Sequence, residues 1–348
     1  MTKLRIVLLP VGQADCILIQ FPDESWAMVD CSSEQKGAAA AAATAFLAGQ
    51  ENRHSPLRFV LATHPDKDHS AGIPGFVRMC SREIEAIYHS GVECRKRRGP
   101  GTDRLALPVF ARDWVRIGKV GRFERLVANQ RIPLPDALKC VTLTVLNPVG
   151  GMIPTEAIKE KVSNDISVVV QLRFAGVNVL LAGDIESSAW DRVVANSDFR
   201  QPHVLKVSHH GALSGRPPAK LFKPLSSNSQ TRFALISCQS KVESKPHFDV
   251  LNEFWRKPTW RTRCTGLSAH CSDENQERYP VRPDDKRRQP EALHQALQNR
   301  DEVYDDGVQT IGCSIYNELT IESESNGDFS DGKIRHLGQP KKCDAHSA

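Results

Sequence analysis

Residues 62–72 read ATHPDKDHSAG, and six consecutive positions carry His64, Asp66, Asp68 and His69. Imidazole and carboxylate suit borderline-to-hard divalent cations such as Zn²⁺, Mn²⁺ and Fe²⁺. A turn after a strand lets alternate side chains converge on one point. The alternative is a capping loop, in which Asp68 and Ser70 satisfy the start of the following helix. It leaves both histidines without a purpose. Two other stretches close on the same residue types: LLAGD ends at Asp184, and LKVSHHG ends near the doublet His209–His210. Taken singly, an Asp after Gly is a turn or cap residue and a histidine pair is structural. Three apolar runs that all end in ligand-type residues point instead to one shared site, with one sheet edge holding every member.

The elements that must position these residues are legible as periodic runs. KLRIVLLP, DCILIQF and SWAMVD read as three strands split by turns. GAAAAAATAFLAGQ is a helix of high intrinsic propensity. LRFVLAT is a buried strand that delivers the ligand loop, SAGIPGFVRMC starts a helix, and EAIYHSG returns as a strand. A second batch begins with CVTLTVLNPVG. SVVVQLRFAGVNVLLAGD is a hairpin turning near Ala175-Gly176, IESSAWDRVVANS a helix, HVLKVSHHG and FALISC strands, and HFDVLNEFWRK a helix. Strands in two batches, each interrupted by helices, predict an α/β fold of two mixed sheets packed together with helices outside.

Between about 91 and 138 the texture changes. ECRKRRGPGTDR and RDWVRIGKVGRFERL are arginine-rich, with Trp114 and Phe123 interleaved. This reads as a basic insertion or flap within a domain spanning 1–255. Basic side chains attract a phosphate backbone, and aromatic rings stack single-stranded bases; a solvated charged loop is the alternative. Residues 256–348 read as a C-terminal extension, polar and partly flexible. It closes in a β-hairpin with turn chemistry at Asn326-Gly327 or Asp331-Gly332.

The net charge of +5 is too mild to argue for nucleic acid by itself. No apolar run approaches the roughly 20 residues of a membrane helix, and the N-terminus lacks a signal-cleavage pattern. A cytoplasmic protein with no membrane partner is expected. The 10 cysteines include no CxxC pair, which excludes a metal ribbon of standard spacing and, at 348 residues, a small disulfide scaffold. Cys16 and Cys140 sit in strand-like runs as small apolar residues. Cys264, His270, Cys271, Cys313 and Cys343 are candidates for a structural zinc site, with unrelated reduced thiols as the alternative.

At this point the motifs resemble a known family. The chain is similar to the metallo-β-lactamase superfamily, and within it to the hydrolase domain of competence DNA-uptake proteins (ComEC type). PVGQADCILI resembles that group's opening D-V-G-Q-G-D-x-x-L-I stretch, and MVDCSS its I-D-x-G strand end. NDISVVVQLRFAGVNVLLAGD resembles its hairpin ending in L-x-G-D, and LKVSHHGALSG its L-K-V-x-H-H-G-S. Together these cover roughly residues 3–255. The chain departs from the general H-x-H-x-D-H pattern by carrying Asp66 at the second histidine. The histidine expected between that motif and Asp184 is not evident, and VSNDIS places Asn164 and Asp165 near an Asn of the competence group. Lys245 stands where the group often has His, with His247 two residues later, and Gln239 and Ser240 replace a turn glycine.

The resemblance implies an αββα four-layer sandwich and two divalent metal ions, Zn²⁺ or Mn²⁺. One ion would take His64 and Asp66. The other would take Asp68, His69 and one of His209 and His210, with His210 preferred as ligand and His209 facing substrate. Asp184 would bridge, and Asp15 would support the ligands by hydrogen bonds. The first site is then oxygen-rich, which favours harder ions than three histidines would. Two metals about 3.5–4 Å apart hold a hydroxide and clamp an in-line phosphoryl displacement. Asp68, His209, Lys245 and His247 form the catalytic set, the last three and Lys206 being candidates to neutralise developing charge. The implied activity is phosphodiester hydrolysis, with DNA as the substrate. A small-molecule hydrolase of the same fold and a non-catalytic module binding nucleic acid or a partner are the competing expectations.

Overall fold

The computed structural model describes residues 2–33, 37–52, 54–91, 107–150, 164–223, 225, 231–237, 245–265, 317–323 and 333–336. Two β-sheets lie face to face. The first, in spatial order β14-β13-β1-β2-β3-β4-β5-β6, comprises β1 (Thr2–Leu8), β2 (Ile17–Gln20), β3 (Trp26–Val29), β4 (Leu57–Ala62), β5 (Ile84–His89), β6 (Val120–Arg125), β13 (Asn317–Ser323) and β14 (Lys333–His336). The second runs β12-β11-β10-β9-β8-β7, from β7 (Val141–Asn147), β8 (Val169–Phe174), β9 (Val177–Leu181), β10 (Val204–Lys206), β11 (Arg232–Ile236) and β12 (Trp260–Cys264). Both sheets are mixed. Each begins with antiparallel pairs and turns parallel, at β3–β4 in the first and β9–β10 in the second.

The sequence pattern explains the layering. Leu4, Ile6 and Leu8 of β1, Leu143 and Val145 of β7, and Val170 and Leu172 of β8 meet in a core between the sheets. The opposite faces of the same strands are also apolar, because both sheets carry helices outside. α1 (Ala38–Ala48), α3 (Ile73–Met79) and α4 (Leu107–Arg116) cover the first sheet. α5 (Ser187–Ala195) and α6 (Phe248–Trp255) cover the second. Each fully buried Leu, Val or Phe contributes about 1.5–3 kcal/mol. The four layers match the expected αββα sandwich.

Several local expectations are met. The β8–β9 hairpin turns at Ala175 and Gly176 with φ of 49° and 74°, the paired positive values of a type I′ turn. Cys16 is buried as expected, whereas Cys140 precedes β7 and is only half-buried. The helix expected after the ligand loop is two pieces, α2 (Lys67–Ser70) and α3, joined through Gly72. A Cβ there would sit 2.4 Å from the carbonyl oxygen of Cys31, so the backbone approach requires glycine.

Within the segment expected to be a basic insertion, α4 and β6 continue the first sheet by a parallel pairing with β5. β6 is an edge strand, and Arg122, Glu124 and Arg125 keep that edge charged. Trp114 does not offer its ring to a ligand as expected: it is buried, facing the helix-side core and stacked on Phe110 at 5.9 Å. Residues 94–104 lie outside the described residues, as do Gln239, Ser240, His270, Cys271, Cys313 and Cys343; Cys264 lies on β12. Inside the expected C-terminal extension, β12 joins the second sheet. β13 pairs along all of β1, and β14 pairs with β13 in a hairpin whose turn falls outside the described residues. No helix among the described residues is long and apolar enough to cross a membrane.

Candidate metal centre

The ligand-type residues leave the carboxyl ends of parallel strands, the place where open sheets present their loops to ligands. Asp30 follows β3, and Thr63 and His64 follow β4. Asp184 follows β9, His209 and His210 follow β10, and Ser237 follows β11. The expectation of one sheet edge is corrected here. β4 belongs to the first sheet and β9 and β10 to the second, so the site spans both.

Asp68, His69, Asp184 and His210 each offer one ligand atom, and these four atoms lie within 4.8 Å of one another. His69 Nε2 stands 3.0 Å from Asp184 Oδ1; His210 Nε2 stands 3.5 Å from Asp68 Oδ2 and 3.7 Å from Asp184 Oδ2. His69, Asp184 and His210 are buried, and Asp68 is partly exposed. His64 and Asp66 pair beside this group, Nε2 to Oδ2 at 3.7 Å, with the His64 ring 4.1 Å from that of His69. They are not members of the four-atom group.

The surrounding hydrogen bonds fix which ring nitrogen faces inward. Asp30 accepts from the Thr63 backbone N–H (2.8 Å), the Thr63 hydroxyl (2.7 Å) and His69 Nδ1 (2.7 Å). The Thr63 hydroxyl in turn lies 3.1 Å from His64 Nδ1 and accepts its proton. His210 Nδ1 donates to the Ser237 carbonyl at 3.2 Å. Each histidine thus uses Nδ1 outward and turns Nε2 to the centre, the arrangement that carboxylate and carbonyl partners give to metal-binding histidines. The Nε2 atoms of His64, His69 and His210 and Oδ1 of Asp184 are buried and make no well-aligned hydrogen bond, His69 Nε2 and Asp184 Oδ1 meeting only as an ion pair. Orphaned polar atoms at such density are costly unless something binds them. Four convergent nitrogen and oxygen donors, with oriented rings behind them, fit a divalent metal ion.

Electrostatics lead to the same fit. Burial would raise the Asp184 carboxyl, but His69 and His210 overrule it and hold it well below the ordinary range. Burial would lower His69, but Asp184 and Asp30 raise it well above 6.5. In the metal-free chain a proton on His69 balances these carboxylates. Asp66 stands 3.7 Å from His64, but burial followed by the His69 charge pushes that imidazole down to about 4, leaving it neutral.

The doublet is held in left-handed backbone, with φ of 50° at His209 and 55° at His210. Non-glycine residues there cost about 1–3 kcal/mol each and persist only when surroundings impose them. Here the His209 N–H donates to the Gly183 carbonyl at 3.2 Å, and the Ala212 N–H to the His209 carbonyl at 2.8 Å. The twist separates the two side chains. His210 enters the four-atom group; His209 points its Nδ1 at Glu186 (3.3 Å) and Ser214 (3.2 Å), with Nε2 3.9 Å from Asp184.

The remaining expected residues divide. Lys245 is half-buried and close enough to His209 for its charge to lower that imidazole, after burial itself. His247 is turned to α6, where Nδ1 accepts the Asp249 N–H at 3.2 Å as a helix cap. Lys206, a candidate for neutralising substrate charge, is instead buried, with Nζ 2.8 Å from Asp15 Oδ2. Asp15 accepts the Ser237 hydroxyl and stands 3.8 Å from both His69 Nδ1 and His210 Nδ1. Burial would raise its carboxyl, and Lys206 chiefly keeps it lowered. Asp165 accepts from the Glu186 N–H and the Ser188 hydroxyl at the start of α5, and Asn164 donates to Glu186 at 3.1 Å. Asp30 was not singled out among the sequence candidates, although MVDCSS marked its strand end.

Two facing sheets with helices outside, and a histidine–aspartate centre at strand ends of both, define a metal-dependent α/β hydrolase fold. The chain belongs to the metallo-beta-lactamase superfamily, whose family model matches residues 9–215. No curated protein matches the sequence. Among solved structures it is similar to YhfI, a metallo-beta-lactamase fold protein from Bacillus subtilis, at 13% identity over 59% of this chain and 70% of that one, with a TM-score of 0.37. A diphosphatase of the PhnP family is 13% identical over 78% and 88%, with a TM-score of 0.38. Igni18, a metallo hydrolase from the archaeon Ignicoccus hospitalis, is 9% identical over 86% and 92%, with a TM-score of 0.36. The family match carries the assignment, not these three.

Proposed function

We propose that the chain is a phosphodiester hydrolase of the competence-protein type that cleaves nucleic acid, DNA foremost, with two divalent ions, Zn²⁺ or Mn²⁺. Asp68, His69 and His210 would hold one ion and His64 and Asp66 the other, with Asp184 available to both. Ions held there supply Lewis acidity, making water a nucleophile at neutral pH and polarising the phosphorus–oxygen bond. The observation that carries the reading is the charge arrangement at the centre's exposed rim. Carboxylate ligands Asp66 and Asp68 are partly exposed, and His209 stands with Nε2 3.9 Å from Asp184, with Lys245 in electrostatic range. In this reading His209, held by Glu186 and Ser214, meets a phosphoryl oxygen and Lys245 balances its charge.

Purified protein incubated with Mn²⁺ or Zn²⁺ and labelled single- and double-stranded DNA tests the proposal. Metal-dependent cleavage that disappears in His69→Ala supports it. Intact DNA and intact bis(p-nitrophenyl) phosphate under every metal refute it. The burial of Trp114 favours a second reading, a hydrolase of small phosphoryl esters, cyclic nucleotides or lactones, since one of two expected base-stacking rings is withdrawn. Turnover of those compounds with DNA untouched would select it.

A further inference from the structure

Behind the four-atom group lies another set of ligand-type atoms. Asp15, Asp30 and His69 are all buried and bring one such atom each within 4.8 Å of the others. This set reaches His69 from the opposite ring edge. Asp30 Oδ2 is 2.7 Å and Asp15 Oδ2 3.8 Å from Nδ1, whereas Asp184 Oδ1 is 3.0 Å from Nε2. His210 repeats the pattern, with Nδ1 3.8 Å from Asp15 and Nε2 facing Asp68 and Asp184. The two imidazoles therefore form a partition with carboxylates on both sides, and a divalent ion has two places to go.

The choice has a chemical consequence. A ring nitrogen that binds metal must be free of its proton, and a neutral imidazole keeps one proton on the other nitrogen. Metal on His69 Nδ1 would put the proton on Nε2 and take that one donor from the main centre, which would still hold an ion, more weakly, through Asp68, Asp184 and His210. On the Asp15 side a cation already stands. Lys206 Nζ is 2.8 Å from Asp15 Oδ2 and donates to the Val207 carbonyl at 3.0 Å. Lys206 is the one buried lysine among the described residues. It comes from β10 of the second sheet, while Asp15 comes from the loop between β1 and β2 of the first. The Asp15 N–H donates to the Asp68 carbonyl at 3.1 Å, so the same residue also braces the ligand loop.

We propose that Lys206 is a tethered counter-cation that closes the Asp15 side of the histidine partition to divalent metal and so reserves the Nε2 atoms of His69 and His210 for the main centre. A fixed ammonium neutralises Asp15 without demanding a ring nitrogen, which a metal ion would do. Lys206 is a positioning residue; it touches no substrate. The inference goes beyond the nuclease reading and holds whatever the substrate is.

The test counts metal rather than turnover. Wild type, Lys206→Met and Asp15→Asn/Lys206→Met, as full chains, are stripped with chelator and dialysed against Zn²⁺. Metal per chain is then measured, with circular dichroism before and after. Lys206→Met keeps an unbranched stem and loses the charge. It is expected to take up one equivalent more than wild type, or, if unfolded without metal, to fold on adding Zn²⁺. The double variant, with no charge on either partner, is expected to fold without metal and to bind the wild-type number. A folded Lys206→Met with wild-type stoichiometry overturns the proposal. So does one that stays unfolded in Zn²⁺, or a double variant that retains the extra equivalent.

Discussion

Replacing Asp30 with asparagine is expected to weaken metal binding by about 10- to 100-fold while the chain stays folded. Asp30 accepts three hydrogen bonds, from the Thr63 N–H, the Thr63 hydroxyl and His69 Nδ1, at 2.7–2.8 Å. Asparagine keeps one acceptor oxygen. If that oxygen stays on the Thr63 N–H, the amide nitrogen faces the hydroxyl and the imidazole and donates to both. His69 Nδ1 then becomes an acceptor, its proton moves to Nε2, and the atom 3.0 Å from Asp184 ceases to be a ligand. The Thr63 hydroxyl reverses as well, which disturbs His64 Nδ1 at 3.1 Å. Partners behind metal-ligating histidines are worth about 10- to 100-fold in affinity, or about 1.4–2.7 kcal/mol. The fold loses charge-assisted hydrogen bonds, about 1–3 kcal/mol, against a typical domain stability of about 5–15 kcal/mol. Competition for Zn²⁺ with a chromogenic chelator measures the first quantity, and urea denaturation in chelator the second. Thr63→Val is the comparison: it removes the hydroxyl between Asp30 and His64 Nδ1 but leaves the Asp30–His69 bond, and its effect on affinity is expected to be smaller. Zn²⁺ affinity within twofold of wild type in a folded Asp30→Asn protein would refute this account of ring orientation.

Other expectations follow from the same geometry. Alanine at His69, Asp184 or His210 should abolish the rise in melting temperature that Zn²⁺ gives wild type, a stabilisation of about 2.7 kcal/mol at one hundred times Kd; scanning fluorimetry with and without chelator reads it. Gly183→Ala should destabilise by about 1–3 kcal/mol in urea, because φ there is +54° and a Cβ would lie 2.9 Å from that of Ser167. Its zinc affinity should also fall, since Asp184 is the next residue. His89, stacked on Phe123 at 4.3 Å, is pushed down to about 4 by burial and then by Arg125 and Arg112. The unfolded chain takes a proton near 6.5 and the folded one only near 4, so stability falls as pH drops through that window and is intact above it. The full change is at most about 3 kcal/mol. His89→Gln, which cannot titrate, should flatten that part of the stability–pH curve; an unchanged slope between pH 4 and 6.5 would contradict the assigned environment.

Much of the architecture was readable because it rests on local periodicity. The apolar runs that became β4, β9 and β10 announced themselves by composition, and the Ala175-Gly176 turn by its residues. Trp114 misled because its neighbours are arginines. α4 turns those arginines outward and the indole inward, an amphipathic outcome that a charge-rich reading hides. For His247 the letter does not show what the fold adds, that its Nδ1 caps α6.

Residue chemistry and a short repeat were enough to show which residues can bind metal and that each such group closes a strand. Long-range packing set the rest: the strands belong to different sheets, and His210 rather than His209 enters the four-atom group. It also decided that Asp30 orients His69 and that Lys206 spends its charge on Asp15. These are contacts between segments as far apart as Asp15 and Ser237, 222 positions away. No local pattern encodes them, because they exist only when two apolar sheet faces exclude water from one another and carry their loops to the same end.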